Sequence, residues 1–431
     1  MKRFLSDYAM LLVLLLLCAL FSFLTLEKQN PAGADAARQL AAKIDPAKQT
    51  LIVAGGTETA FSTELERLLE EKNSQFETVT GEPRDAALKL EELVVAGKQL
   101  DLIAVSASVA LNWTVFADLQ TDYPELGNPQ LVAPEPYRWP VFLNRSNLLN
   151  IASQISIIAI IAIGMTMVII TAGIDLSVGS LIALSAVICT LFIQEKAGGV
   201  DASAGGMIVG AILGILCCGG VGAFSGTMIT IFRVPPFIVT LAIMLVASGT
   251  ASLLTRGESV YKIPQSFTWL GRETTVLGLP NSVTLMLVLY AMAHVLMTRT
   301  ILGRYLYAVG GNPEAARLSG VPVKRVILFA YVMSGLLAGV GGVVMASQLK
   351  SGSPTYGVMY ELYVIAAVVV GGTSLAGGEG KILGTLTGAF IIAVIQNGMN
   401  LLKIESFTQK VVLGAVILAA VLLDTLKHRR R

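Results

Sequence analysis

Few residues in this chain have both the type and the surroundings to carry chemistry. Asp175 is the only charged residue between Arg145 and Glu195, and it stands in TAGIDLSVGS (171–180) between two apolar runs. A carboxylate there is costly to desolvate, so it caps a helix or lines a wet path. Gly173 and Gly179 permit irregular backbone, which suits a break inside the membrane. Two readings stay open: Asp175 caps a helix starting at Leu176 with help from Ser177, or these residues touch a gate or solute directly. Glu361 stands in YGVMYELYVIAAVVVGG (356–372), near the start of another apolar run. It reads as a salt-bridge partner at a pore mouth or as an acceptor for a polar ligand. Gln396 and Asn397 are polar groups late in the chain, and bonding between helices suits them better than ligand contact.

Nothing else suggests catalysis. Cys18, Cys189, Cys217 and Cys218 all lie in apolar runs, and His294 and His428 are far apart. That excludes a disulfide framework for the polar part and leaves no metal-ligand spacing. GGEGKI (377–382) looks like a phosphate-binding loop, but the pattern needs Gly where Leu375 stands and Ser or Thr where Ile382 stands. Gly55-Gly56-Thr57 follows a strand pattern and precedes a helical one, which reads as an anion-binding turn or an ordinary βα turn. The chain carries no ATPase of its own, and no metal, cofactor or nucleic-acid site is expected.

A different chemistry is written in TRTILGRYLYAVGGNPEAARLSGVPVKRV (298–326). This loop holds Arg299, Arg304, Arg317, Lys324 and Arg325 against one acid, Glu314. Its middle predicts a short helix, with Asn312 as N-cap, Pro313 at the first helical position, Glu314 in the first turn and Gly320 after the last. A short basic helix between two membrane spans is a handle for a cytoplasmic partner.

Composition supplies the frame for these groups. The 431 residues are 54% hydrophobic and only 14% charged, which is a membrane-protein balance. The net charge of +2 conceals a split. Residues 27–149 hold 18 acidic and 11 basic residues, and the remainder holds 11 acidic and 20 basic. A soluble acidic segment is inserted into a basic membrane protein. Residues 8–26 form an uncharged run with no small-residue cleavage pattern, so an uncleaved first span is expected at 1–26. Further spans are expected at 150–172, 176–194, 205–231, 236–255, 280–298, 326–347, 359–374, 382–402 and 408–424. Ten spans put both termini on one side, and Met1-Lys2-Arg3 with the tail Lys427-His428-Arg429-Arg430-Arg431 makes that side cytoplasmic. The loop 298–326 is then cytoplasmic and the segment 27–140 extracytoplasmic. Within 46–107 the order β-α-β-α-β implies a small parallel sheet, and 107–140, with five prolines, reads as a linker back to a permease domain at 141–431. Glycines at Gly206-Gly210-Gly214, Gly222-Gly226, Gly335-Gly339 and Gly384-Gly388 read as close packing in one bundle or as a dimer seam.

The membrane part resembles the permease subunit of bacterial ATP-binding-cassette importers, in the branch serving ribose, xylose, arabinose, galactose and autoinducer-2. The resemblance runs from about Phe142 to Asp424, plus the first span. It rests on TAGIDLSVGS (171–180), RVPPFIVTLA (233–242), GRYLYAVGGNPEAARLSGVPVKRV (303–326), ELYVIAAVVVGGTSLAGGEG (361–380) and NGMNLL (397–402). It implies an α-helical polytopic fold of about ten helices in the bacterial inner membrane, a second copy of the chain, two cytoplasmic ATP-binding subunits and an extracytoplasmic solute-binding protein. It further implies import of a sugar-like small molecule by alternating access across the lipid, with ATP hydrolysed by the partners. By resemblance, Asn312, Pro313, Glu314, Ala315, Ala316, Arg317, Leu318, Ser319 and Gly320 form the coupling helix that enters the ATPase subunit. Two departures stand out: Tyr363 occupies a position where the family has a carboxylate, and the α/β insert replaces a short loop. The insert reads as a docking platform, a partial receptor or a spacer. Rival readings are a permease for nucleosides or branched-chain amino acids, a membrane-anchored sensor, and a secondary carrier, for which only Asp175 is placed as a coupling carboxylate.

Overall fold

The computed structural model describes residues 2–429; Met1, Arg430 and Arg431, which contribute to the terminal charge used above for orientation, lie outside the described residues. The chain divides into two compact units, Met1–Thr25 with Val141–Arg431, and Leu26–Pro140.

After helix α1 (Lys2–Leu24), the second unit runs β1 (Leu26–Gln29), α2 (Gly33–Ala41), β2 (Thr50–Gly55), α3 (Thr59–Glu71), β3 (Phe76–Gly81), α4 (Pro83–Val95), β4 (Leu102–Val105), β5 (Gln130–Val132) and β6 (Tyr137–Pro140). Strands β3-β2-β4-β5 form one parallel sheet in that order, and β1 pairs antiparallel with β6. Side chains alternate across β2: Leu51 and Val53 pack with Leu90, Leu93 and Phe116, and Ile52 and Ala54 with Leu40, Phe61 and Leu65. A sheet covered on both faces needs apolar residues on both, which is why LIVAG reads as an unbroken apolar run. The stretch expected as a linker from 107 to 140 instead supplies β5 and β6. These strands have three and four residues beside Pro129, Pro134 and Pro136, too short for alternation to register. Helix α2, also absent from the sequence reading, buries Ala36, Ala37, Leu40 and Ala41, and alanines make a faint apolar stripe.

The first unit continues with α5 (Arg145–Ile170), α6 (Val178–Lys196), α7 (Ala204–Thr230), α8 (Pro236–Thr255), α9 (Asn281–Arg299), α10 (Ile301–Gly311), α11 (Pro313–Leu318), α12 (Val323–Leu349), α13 (Tyr360–Val370), α14 (Ile382–Leu401) and α15 (Ser406–Arg429). Seven of these, α5 to α9, α12 and α14, are long and apolar enough to cross a membrane. Helix α5 is apolar all round, and every residue from 155 to 171 is buried, so it is the core element. Only 28% of the most apolar window of α7 or α8 is buried, against 89% for α5. Leu245, Val246 and Leu253 on α8 are exposed, a surface suited to lipid. The span expected at 359–374 is a helix of only 11 residues, α13. That is about 17 Å, roughly half a bilayer core. Apolar sequence continues on both sides of it, but Gly357 and Gly372 take positive φ and break the helix.

The spaced glycines all make contacts inside this unit. A Cβ at Gly214 would press on Ser185, one at Gly339 on Ile215, and those at Gly222, Gly335 and Gly388 would overlap the backbones of Tyr331, Cys218 and Ala367. Backbones this close admit no side chain, so these glycines serve packing within the bundle.

Candidate translocation and coupling sites

The exposed site is α11. The Asn312 side chain accepts hydrogen bonds from the backbone N–H groups of Glu314 at 3.1 Å and Ala315 at 3.0 Å, and Pro313 takes the first helical position. At the other end Gly320 adopts φ +83°, its N–H donates to Arg317, and the Val321 N–H reaches back to the Ala316 carbonyl at 3.0 Å. This is a Schellman closure, so both ends of a six-residue helix are fixed. Ala316 is buried, while Asn312 to Ala315 and Arg317 to Gly320 are exposed, with Leu318 at 77%. Arg317 pairs with Glu314 and holds that carboxyl below its ordinary range. An ion pair this exposed contributes little to stability and leaves both charges available to a partner.

Helix α10 seats this handle. A Cβ at Gly310 would overlap the Ile170 carbonyl at the end of α5, and Gly378 donates its N–H to the same carbonyl at 2.9 Å. Tyr307 donates its hydroxyl to Gly380 at 2.8 Å. The glycine-rich stretch that imitates a phosphate loop therefore closes over α10 and α5, and Gly377 and Gly378 reach positive φ to do so.

The buried site is the irregular segment between α5 and α6. Asp175 is 2% exposed. One carboxylate oxygen accepts from the Ser177 N–H at 3.0 Å and hydroxyl at 2.6 Å; the other accepts from the Ser334 hydroxyl of α12 at 2.7 Å. Tyr331, one turn earlier on α12, donates to the Ile174 carbonyl at 3.3 Å. Helix α12 begins directly after the α11 closure, so one continuous rod joins the exposed handle to the buried break. Glu361, in the first turn of α13, lies against Gly179, where a Cβ would overlap its carboxylate. Among the described residues it makes no salt bridge; the expected partner at a pore mouth is replaced by the start of α6, whose free N–H groups favour negative charge.

Asp175, Ser177 and Glu361 thus gather at the α6 N-terminus, whereas Asn397 does not join them. Asn397 exchanges two amide hydrogen bonds with Asn147 on α5, at 3.0 and 2.8 Å, and ties α14 to the first turn of α5. Tyr363 packs edge-on against Tyr360, centroids 6.3 Å apart. Sequence reasoning missed Ser334 and Tyr331; their one signal is polarity inside the apolar run 326–347. In the other unit, the Gly55 N–H at the βα turn donates to the chain's own Glu58 carboxylate at 3.1 Å. Ser106 and Ser108 donate to that same oxygen at 2.5 and 2.8 Å, so the place an anion would take is filled. Among the described residues no His, Cys, Asp and Glu cluster fits a metal ion.

Residues 147–421 match the family described as branched-chain amino acid transport system, permease component. The chain is 42% identical to the ribose import permease protein RbsC of Escherichia coli strain K12 over 293 residues, 67% of this chain and 88% of that protein. It is 44% identical to the ribose import permease protein RbsC of Bacillus subtilis strain 168 over 290 residues, 67% of this chain and 87% of that one. The D-allose transport system permease protein AlsC of Escherichia coli strain K12 is 37% identical over 285 residues, 66% of this chain and 85% of that protein. No solved structure matches the chain.

Proposed function

The chain belongs to the permease-component family that its residues 147–421 match, and from that membership we propose that it is the membrane subunit of an ATP-driven importer for an aldose such as ribose, allose or galactose. Its relatives' names support the solute class. The chain supplies the path, and two ATPase subunits on the cytoplasmic side supply the free energy. The carrying observation is α11: a doubly capped, exposed helix leading without slack into α12, which holds the buried break through Ser334. ATP-driven closure of the motor moves α11, α12 follows as a rod, and the Asp175 segment shifts between outward and inward access.

Three shorter apolar helices, Met10–Leu24, Tyr360–Val370 and Ser406–Ala419, join the seven longer ones to give ten membrane elements. Both termini and α11 face the cytoplasm, and the 26–140 unit faces outward, where it docks the solute-binding protein. A second copy of the chain assembles with it in the lipid bilayer. Uptake of labelled ribose, allose, galactose and leucine into vesicles holding the chain with its ATPase and binding protein tests the proposal. ATP-dependent uptake of an aldose is expected; uptake of leucine alone would overturn it.

A further inference from the structure

The helical unit contains a cavity of about 250 Å³ between α5, α12, α13 and α14. At about 30 Å³ per water that is room for roughly eight waters, the scale of one monosaccharide. Its apolar wall is made by side chains such as Ile155 and Met345. Its polar groups are the amides of Gln154, Gln348, Gln396 and Asn397, with Tyr360 beside them. None of the lining residues carries a formal charge.

The Asn397 amide is taken by Asn147, but the three glutamine amides keep unbonded groups. Gln348 donates to Ser153 through its NH₂ group at 3.0 Å, and Gln154 donates to Asn150 at 3.2 Å. No bond to the carbonyl of either side chain occurs among the described residues, and the Gln396 side chain makes no hydrogen bond among them. Gln348 and Gln396 are half-buried and Gln154 is exposed, so their unbonded groups are open to the cavity they line, and polar groups on a cavity within a membrane unit mark a ligand's route. An amide offers donor and acceptor together, the pattern that adjacent hydroxyl groups match.

We propose that this cavity is a transit site for a neutral polyhydroxylated solute, with Gln348 and Gln396 bonding its hydroxyls and the isoleucine wall with Tyr360 covering its C–H face. This deepens the importer reading above and rests on it. The uncharged lining also sets the selectivity. An amino acid would bring a carboxylate and an ammonium group with no charged partner for either, and burying unpaired charge is far costlier than burying hydroxyls.

The test uses the complete chain assembled with its ATPase and binding protein in vesicles. Gln396→Leu and Gln348→Leu should each lower uptake of labelled ribose about tenfold, the cost of a lost solute hydrogen bond and a stranded partner. Gln396→Asn should recover part of it. Co-purification of the ATPase reports that each variant is assembled. In a second measurement, Gln396→Cys is alkylated with a small neutral maleimide and modification at that position is read by mass spectrometry. Ribose should slow the reaction, and leucine should not. Uptake by both leucine variants within twofold of the parent, or alkylation indifferent to ribose, would overturn the cavity while leaving the importer reading intact. Failure of the unmodified chain to import any aldose would instead sink the importer reading and the cavity with it.

Discussion

Two carboxylates stand at helix starts in the membrane unit and have opposite fates. Asp175 is buried before α6, and its two oxygens accept from three neutral donors on Ser177 and Ser334. Glu314 is exposed in the first turn of α11 and, among the described residues, pairs with Arg317, three residues on. A buried carboxylate stripped of its donors leaves stranded polar groups, so its bonds hold the fold together. An exposed pair is screened by water and holds almost nothing. The contrast teaches where each region's constraint comes from: the break is fixed by contacts within its own chain, and the handle, fixed only at its ends, is left open for the partner proposed above.

The comparison breaks most easily at the joint between its halves. Gly310→Val should have the largest effect, because the new side chain meets the Ile170 backbone rather than a yielding side chain. Overpacking of this kind costs about 3 kcal/mol, so the thermal midpoint in detergent should fall and uptake should be lost. Next comes Asp175→Ala, which strands the hydroxyls of Ser177 and Ser334 at a cost of about 2 kcal/mol; thermal unfolding should register it, with Ser334→Ala roughly half as severe. Arg317→Glu should leave the thermal midpoint within the change of about 0.5 kcal/mol typical of surface positions, yet abolish uptake. A large stability loss there would erase the contrast.

The smallest effect is one of pH. The Arg317 hydrogen bond and charge depress the Glu314 carboxyl, so the pair is intact above the ordinary carboxylate range and is lost as pH falls through the lowered value. Association with the ATPase should therefore be flat from neutral pH to about 5 and weaken only in stronger acid. A midpoint near neutrality, followed by light scattering or pull-down, would point to a histidine elsewhere.

The handle was legible in the sequence because its chemistry is local. Asn312, Pro313, Glu314 and Gly320 each act within three residues of where they stand, and the structure gives that helix as Pro313–Leu318. Most long helices were legible too, because unbroken apolar runs end at Pro, Gly or charge. The latch was not. Ser334 lies 159 residues from Asp175, and no local pattern pairs them. The short α13 misled for the opposite reason: its apolar run outlasts its helix, since positive φ at Gly357 and Gly372 breaks the backbone without changing hydropathy. In the other unit, Leu51, Val53 and their alternates announce the sheet core, whereas β5 at Gln130–Val132 is too brief to announce itself. Glu58 filling its own βα turn was invisible, because two of its three donors, Ser106 and Ser108, come from the segment after the neighbouring strand β4, 48 and 50 residues along the chain.

The most direct test of the account is retention of the ATPase subunit by Glu314→Arg and Arg317→Glu, each purified from membranes at parental yield and thermal midpoint. The account predicts that both variants lose the ATPase and, with it, ATP-driven aldose uptake. Parental levels of bound ATPase in both variants would contradict it.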